Sequence, residues 1–399
     1  MLSVPEATEI ILANPIDFGQ ETIPFELSLG RVLAEDLVAD RDFPPFDRVT
    51  MDGIAIRWES FEAGQRSFKI ENTQMAGQPQ LTLHKSENCI EVMTGAMLPV
   101  GTDTVVRYED VSIEEGIAHL HLPTLKHRQN IHFQGEDRFK GSIILSEGRV
   151  IGPPQVALAA SIGATKVKVK RLPKVVIITS GDELVPVQQI PLPYQIRMSN
   201  GYSIAALLQP YGLTTDFLHI ADDLEQTQKA IQKAFNQYDA LILSGGVSQG
   251  KKDFIHLALN NLGVHRLFHK VAQQPGKPFW FGRKENCVVF ALPGNPVSSF
   301  LCVRRYFVPW LRKSLGLPPM NHGHASLAQD YFYASPLTYF LQVRLKQVGA
   351  TLTAEPIVGH GSGDFANLSE AQGFIELPEG KKDFKQGEIL QLWHYESIF

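Results

Sequence analysis

Short apolar runs and amphipathic stretches alternate through the middle of the chain. Residues 175–178 and 240–243 are continuous apolar segments of a length that is typical of buried strands. The pattern predicts, in order, a strand at 175–178, a helix at 203–208, a strand at 215–220, a helix at 224–235 and a strand at 240–243. Strands and helices that alternate at these lengths favour a parallel sheet covered by helices.

Other patterns flank this region. Evenly spaced short strands predict a small β-domain, with segments at 67–70, 88–93, 104–107 and 117–122. The proline-rich residues 43–47 mark its boundary, because proline does not continue regular structure. After Pro318-Pro319, alternating segments at 339–343 and 389–393 predict a terminal β-domain. The remaining predictions are helices at 5–13 and 156–162, a helix starting at 30–34, a strand at 166–170, a hairpin at 279–282 and 287–292, and a helix from 296 to about 314.

Composition narrows the class of protein. A chain of 399 residues exceeds a single compact core, so two to four domains are expected. The net charge of −5 gives no electrostatic footprint for nucleic acid. No apolar run approaches the length of a membrane-spanning helix, and residues 1–9 lack the features of a signal peptide. The three cysteines are far apart and in apolar contexts, so we expect buried free thiols and a cytoplasmic protein.

A glycine-rich stretch follows the strand at 240–243. It contains three glycines and two serines, Gly245, Gly246, Gly250, Ser244 and Ser248. A turn of this kind at the carboxyl end of a strand, opening a helix, offers backbone N–H groups to an anion. The spacing matches neither a Walker loop nor a Rossmann fingerprint. The stretch therefore predicts a phosphate-type site, and an ordinary strand-to-helix loop is the alternative.

Polar clusters follow three of the predicted strands. They are residues 179–183, the pair Asp222-Asp223, and the loop from Ser244 to Asp253. Ligands of parallel sheets bind outside the carboxyl ends of the strands. Carboxylates beside a phosphate loop suit Mg²⁺, which takes one or two carboxylates together with phosphate oxygens and water. For Asp222 and Asp223 the alternative is helix capping.

Several motifs occur in one order over nearly the whole chain. They are Met51-Asp-Gly-Ile-Ala, Met93-Thr-Gly-Ala, Gly135-Glu-Asp, Ser180-Gly-Asp-Glu-Leu, Gly245-Gly-Val-Ser-Gln-Gly-Lys-Lys-Asp, Pro275-Gly-Lys-Pro, Leu292-Pro-Gly-Asn-Pro-Val-Ser and Gly361-Ser-Gly. The set resembles the MoeA family of molybdopterin molybdenumtransferases, which also includes the C-terminal domain of gephyrin.

The resemblance implies a multidomain α/β plus β fold, with a central MogA-like parallel-sheet domain, an inserted small β-domain and a C-terminal β-barrel-like domain. We place domain I at 23–42 and 131–171, domain II at 43–130, domain III at 1–22 and 172–318, and domain IV at 319–399. It further implies a homodimer whose active site is shared between subunits. The implied reaction converts adenylylated molybdopterin and molybdate to molybdenum cofactor and AMP, with Mg²⁺, and contact with molybdopterin adenylyltransferase is a further expectation.

The resemblance also assigns roles to residues. The catalytic candidates are Asp52, Thr94, Glu183 and Asp253. The metal ligands would be Asp253, Glu183 and Asp222. Substrate-binding positions are Ser180, Gly181, Ser244, Gly245, Gly246, Ser248, Gly250, Lys277, Pro293, Asn295, Pro296 and Ser298. Molybdate must shed oxygen as water, which requires a proton donor and anion-binding groups, and Asp52 and Thr94 are candidates for that work.

This chain departs from the common family pattern at several positions. Gln274 stands where a basic residue is common, His132 where an Arg is common, Ile54 where an aromatic residue is common, and Met198 where an Asp is common. The loss of two cationic positions predicts weaker binding of anions. Two other functions are alternatives to the transferase. The first is the adenylyltransferase of the preceding step, which the presence of residues 1–170 and of the terminal β-domain disfavours. The second is a non-catalytic scaffold, which no motif in the sequence favours.

Overall fold

The structure is a computed structural model that describes residues 1–245, 254–320, 322–359 and 361–395. Its α-helices are α1 Val4–Leu12, α2 Trp58–Glu62, α3 Pro153–Ser161, α4 Asn200–Leu208, α5 Leu224–Phe235, α6 Phe254–Asn261, α7 Pro296–Cys302, α8 Val308–Ser314 and α9 Phe365–Glu370. A π-helical turn at Val303–Phe307 joins α7 to α8. None of the helices in these ranges is both long enough and apolar enough to span a membrane.

The strands come in many short segments. In chain order they are β1 Gln20–Pro24, β2 Leu37–Val38, β3 Arg48–Val49, β4 Gly53–Ile56, β5 Ser67–Gln74, β6 Asn88–Val92, β7 Thr104–Arg107, β8 Val111–Glu114, β9 Ile117–Leu120, β10 Ile131–His132, β11 Ile143–Leu145, β12 Lys166–Lys170, β13 Val175–Ser180, β14 Leu184–Val185, β15 Ile196–Arg197, β16 Thr215–Ile220, β17 Ala240–Ser244, β18 His265–His269, β19 Gln273–Gln274, β20 Trp280–Lys284, β21 Cys287–Leu292, β22 Gly323–Leu327, β23 Tyr331–Phe332, β24 Thr338–Val348, β25 Thr351–Pro356, β26 Gly373–Leu377, β27 Asp383–Phe384 and β28 Ile389–His394.

The chain divides into two compact units. The large unit comprises residues 1–34, 148–152 and 167–399, and the small unit comprises residues 35–147 and 153–166. The finer division into four domains stays a prediction.

A six-stranded sheet forms the centre of the large unit, in the order β16-β13-β17-β21-β20-β18. The first four strands are parallel, and the hairpin of β20 and β21 adds an antiparallel edge. Both faces are covered by apolar cores: Ile177 and Phe290 face one cluster, and Ile178 and Val289 face the other. This burial on both faces is why the parallel strands are continuously apolar in sequence.

A closed barrel follows in the same unit. Strands β24, β25, β22, β28 and β26 pair in that order, and β26 pairs again with β24, which closes the ring. Phe340, Phe374 and Trp393 from this region join the core that also contains Trp310 of α8. The barrel and the parallel-sheet domain therefore share one apolar core, and this fixes how their loops meet. The predicted fold class is confirmed.

The small unit is built on its own six-stranded sheet, in the order β7-β4-β6-β5-β9-β8. Its core contains Ile54, Phe68 and Val106. Gly53, which opens β4, has a φ of 159°, and a Cβ there would lie 1.9 Å from the carbonyl oxygen of Val106. Because only glycine fits this position, the chain can turn into β4 directly after Asp52.

Most predicted elements are found within a few residues of their predicted bounds, and the helix at 224–235 and the strands at 104–107, 166–170 and 215–220 have the same bounds. The helix predicted to start at 30–34 is wrong. Val32 and Leu33 are buried and form antiparallel bridges with Val150 and Val169. Five residues contain too little periodicity to separate a helix from a bridge, so long-range pairing decided the outcome. The three cysteines are buried free thiols, and burial raises the pKa of each to about 12.

Candidate functional site

The parallel strands of the large unit end together at one edge of the sheet. Ser180 ends β13, Ser244 ends β17 and Leu292 ends β21; Ser244 pairs with Leu292 and with Thr179, the residue before Ser180. Beside these ends lies a cavity of about 250 Å³, which we call the strand-edge cavity. Its lining comprises Thr179, Ser180, Glu183, Leu184, Ile196, Arg197, Met198, Ser199, Asn200, Ser244, Gly245, Gly294, Asn295 and Pro296. The predicted residues Ser180, Glu183, Ser244, Gly245, Asn295 and Pro296 are thus brought together.

Asn200 ties two of these strand ends to each other. Its Nδ2 donates to Ser244 Oγ at 3.0 Å and to the carbonyl oxygen of Gly294 at 2.6 Å. The sequence motifs pointed to both partners but not to Asn200 itself. The signal that could have found it is its place as the first residue of a helix, directly after the polar Ser199.

Two acidic residues lie on the loops of adjacent strand ends. Gly181 has a φ of 139°, and a Cβ there would lie 2.6 Å from the carboxylate of Glu183, so glycine leaves that carboxylate room beside the cavity. Asp182 Oδ1 accepts the backbone N–H of Asp222 at 3.1 Å, which holds the loops after β13 and β16 together. Asp223 caps α5, since its side chain accepts the N–H of Gln226 at 2.8 Å.

The carboxylates of Glu183 and Asp222 supply only part of the ligand set that a divalent cation needs. The described residues contain no group of three or more His, Cys, Asp or Glu side chains placed to hold a metal ion. Glu183 and Asp222 are hard oxygen donors on neighbouring strand ends, which suits Mg²⁺ when substrate oxygens and water supply the remainder. The predicted positions Gly246, Ser248, Gly250 and Asp253 lie outside the described residues.

A second cavity, of about 360 Å³, lies between loops of the parallel-sheet domain and of the barrel, and we call it the junction cavity. Among the described residues that line it, Lys277 is the one cationic side chain and none carries a carboxylate. Ser298 also lines this cavity and is buried, with a relative exposure of 3%. Neither Lys277 nor Ser298 makes a side-chain hydrogen bond within the described ranges. A cation and a hydroxyl without a protein partner, with no acid nearby, favour an oxyanion.

Asn295 lines both cavities. Asn295 is at the N-cap position of α7, but its side chain makes no capping bond. Instead Nδ2 donates to Ser362 Oγ at 2.6 Å, and the N–H of Val297 donates to the carbonyl oxygen of Ser362 at 3.2 Å. The side-chain amide of Asn295 is therefore hydrogen-bonded to Ser362 in the wall between the two cavities.

Gln274 belongs to the junction cavity, which Pro293 also lines. Its Oε1 accepts a hydrogen bond from the hydroxyl of Tyr333 at 2.8 Å, and the ring of Tyr333 stacks on Tyr339 with 4.4 Å between centroids. The side chain is exposed and neutral, so it adds hydrogen-bonding groups to the cavity without charge.

Asp52 and Thr94 meet in the small unit. The backbone N–H and the hydroxyl of Thr94 donate to Asp52 Oδ1, at 2.6 and 2.7 Å. These two bonds, the backbone bond first, lower the pKa of Asp52 below its ordinary value. Asp52 is therefore ionised at neutral pH and has no proton to donate there, which disfavours the proton-donating half of the role predicted for it.

The pKa of Asp52 gives a direct test of this pair. Replacing Thr94 by alanine removes the hydroxyl bond and keeps the backbone N–H, so the pKa of Asp52 is expected to rise part of the way to its ordinary value. Because bonds to the charged form contribute stability above the unfolded pKa, any stabilisation by the pair is lost as the pH falls through the folded pKa. Carboxyl ¹³C titration by NMR measures the shift. An unchanged pKa in the Thr94→Ala protein contradicts the assignment, and Thr102→Ala is a matched control.

Comparison with protein families matches three segments of the chain. Residues 2–163 match the MoeA N-terminal region (domain I and II), residues 176–313 a probable molybdopterin binding domain, and residues 324–395 the MoeA C-terminal region (domain IV). A molybdopterin molybdenumtransferase of Synechocystis sp. is 41% identical over 398 residues, which are 98% of this chain and 100% of that protein. The chain belongs to the MoeA family.

Other proteins of the MoeA family are also similar to this chain, in sequence and in structure. A molybdopterin molybdenumtransferase of Staphylococcus epidermidis is 32% identical over 99% of this chain and 96% of its own. The crystal structure of a molybdopterin biosynthesis MoeA protein from Pyrococcus horikosii superposes with a TM-score of 0.84, at 32% identity and with 100% of both chains covered. The family predicted from the motifs is confirmed.

The structure shows what surrounds the unusual positions of this MoeA-family chain. Met198 lines the strand-edge cavity, and its sulfur accepts the hydroxyl of Thr179 at 3.5 Å. Ile54 is fully buried in the core of the small unit, where an aliphatic side chain packs as well as a ring. His132 contacts Arg48 and Asp137.

Proposed function

We propose that this MoeA-family chain is a transferase that inserts molybdate into adenylylated molybdopterin and releases AMP, giving molybdenum cofactor. The observation that carries the proposal is the pair of adjoining cavities that share Asn295. One is lined by the ends of parallel strands, the other by Lys277 without a carboxylate. A phosphorylated organic molecule and a small oxyanion would thus lie beside each other, as the reaction requires.

In this proposal the strand-edge cavity holds the phosphate-bearing pterin. Ser180 and Ser244 offer hydroxyls to the phosphates, and Asn200 keeps the ends of β17 and β21 at a fixed separation. The junction cavity holds molybdate, whose charge Lys277 offsets while the Ser298 hydroxyl donates to an oxygen. Holding both reactants in place converts an encounter in solution into a step within one complex.

We include Mg²⁺ in the proposal as the cation of the pyrophosphate group. Glu183 and Asp222 would hold it together with Asp253, and substrate oxygens would complete its shell. When bound, the cation would neutralise charge that develops on the departing phosphate. The carboxylates of the chain would orient the pyrophosphate, and the cavity would limit access of water.

We further propose a homodimer in which Asp52 and Thr94 of one subunit serve the cavities of the other. Asp52, ionised, would accept a proton or a hydrogen bond at that site. A cytoplasmic location and direct transfer of substrate from molybdopterin adenylyltransferase belong to the same proposal. The family alone supports these points.

Release of AMP tests the function. Purified protein with adenylylated molybdopterin and Mg²⁺ is expected to release AMP faster when molybdate is added, measured by chromatography of the nucleotide. Formation of adenylylated molybdopterin from ATP would instead indicate the adenylyltransferase. Binding of substrate with no release of AMP under any condition would indicate the non-catalytic scaffold.

Gln274→Lys is expected to tighten oxyanion binding in the junction cavity. At a few ångströms and an effective dielectric near 20 the attraction is a few kcal/mol, and screening at an exposed site reduces it to about 1 kcal/mol. The dissociation constant should therefore fall by a few-fold to about tenfold, less at high salt. Titration calorimetry with molybdate at two ionic strengths measures this.

The control for this substitution is Tyr333→Phe, which removes the hydroxyl bond to residue 274 without adding charge. If Gln274→Lys gives no gain, or a gain that is indifferent to salt, residue 274 does not act on the anion.

A further inference from the structure

Arg48 and His132 form a hydrogen-bonded pair on the strands β3 and β10 of the small unit. The two strands pair in antiparallel register, with Arg48 opposite His132. Arg48 Nη2 lies 3.0 Å from His132 Nδ1, and His132 Nε2 lies 3.1 Å from Asp137 Oδ1. A guanidinium donates but never accepts, so Nδ1 must be the acceptor and Nε2–H the donor to Asp137. The contacts with Arg48 and Asp137 therefore define the roles of the two ring nitrogens of His132.

The pair stands next to the Asp52–Thr94 pair. The N–H of Val49 donates to the carbonyl oxygen of Ala96, and the N–H of Gly95 donates to the carbonyl oxygen of Val49, both at 2.9 Å. Strand β3 is thereby bonded to the loop whose first residue, Thr94, holds Asp52. Arg48 is exposed, and its contact with His132 is the one side-chain hydrogen bond that it makes within the described residues. Most of its five N–H donors thus have no protein partner.

The positive charge of Arg48 bears on how anionic substrates approach Asp52. Asp52 is ionised, and the substrates of the proposed reaction are anions, so Asp52 by itself would repel what it must approach. An arginine on β3, the strand bonded to the Thr94 loop, would offset part of that repulsion, and its planar fork matches two oxygens of a phosphate. From these contacts we infer that Arg48 binds an oxyanion of the substrate, and that His132 is a positioning residue that orients Arg48. The inference rests on the proposed function, because it takes the Asp52 face as part of the site.

Charged groups face His132 from strand β3 and from the turn that follows β10. Arg48 contacts it from β3, and Asp137 and Glu136 contact it from the following turn, with Glu136 Oε2 at 4.0 Å. A proton on Nδ1 would remove the acceptor for Arg48 and place two cations side by side. The acceptor at Nδ1 is therefore what holds Arg48 in place.

Binding and turnover of four variants test the inference. Arg48→Gln is expected to raise the dissociation constant and the KM for adenylylated molybdopterin about tenfold, the value of one charge-assisted hydrogen bond, with a smaller change in kcat. Arg48→Lys keeps the charge without the fork and should be intermediate. His132→Ala should raise KM a few-fold. His132→Gln keeps a neutral acceptor and donor and should restore KM toward the wild-type value.

Thermal unfolding shows whether each variant is folded, and calorimetric binding separates the two hypotheses. If the wild type binds the substrate and releases AMP but Arg48→Gln has wild-type affinity at low salt, the inference is overturned and the function stands. If the wild type binds the substrate without turnover and Arg48→Gln weakens binding, the inference stands and the function fails. If His132→Gln and His132→Ala have the same KM for adenylylated molybdopterin, His132 does not position Arg48.

Discussion

Lys277→Ala is expected to lower kcat/KM for molybdate about 100-fold, which is the usual cost of removing a group that stabilises negative charge in an active site. The reason is the composition of the junction cavity, whose described lining contains Lys277 as its single cation and no carboxylate. The side chain is exposed and makes no hydrogen bond in the described part of the chain, so its loss should leave the fold intact.

The measurement is AMP release as a function of molybdate and, separately, of adenylylated molybdopterin. The loss should appear in kcat as well as in KM for molybdate, with a smaller effect on KM for the pterin substrate, because the pterin is assigned to the other cavity. Lys313→Ala, on an exposed position of α8, is the matched control. An unchanged KM for molybdate in Lys277→Ala would mean that the oxyanion binds elsewhere.

Mixing two inactive proteins is expected to restore activity if the site is shared between subunits. Asp52→Ala lacks the carboxylate of the small unit, and Lys277→Ala lacks the cation of the large unit. In a mixed dimer one of the two sites carries both wild-type residues. Random exchange of equal amounts should therefore give about a quarter of the wild-type activity.

The double variant Asp52→Ala/Lys277→Ala provides the control. When an excess of it exchanges into wild-type dimers, a shared site predicts that activity falls, because neither site of the mixed dimer is complete. A site within one subunit predicts that the activity of each wild-type subunit persists. Exchange itself is followed by mass spectrometry of differently tagged subunits. Exchange without restored activity would refute the shared site.

The local sequence determined most of the architecture of this MoeA-family chain. Strands buried on both faces must be continuously apolar, so β13 and β17 are visible in one dimension, and the polar residues that follow them mark the edge where a ligand binds. The α5 helix was predicted with its bounds and with Asp222 or Asp223 as its cap, because capping and helical spacing are both local. The order of the motifs predicted the family.

Tertiary structure alone decided how the site is assembled. Asn295 has the sequence of a capping residue, yet a barrel residue 67 positions away takes its amide, so the wall between the cavities could not be read locally. Val32 and Leu33 pair with distant strands where a helix start was predicted. The pKa of Asp52 is lowered because Thr94, 42 positions away, donates two bonds to it. In each case a polar or apolar group had several possible partners, and only the packed chain selects the one that satisfies the rest.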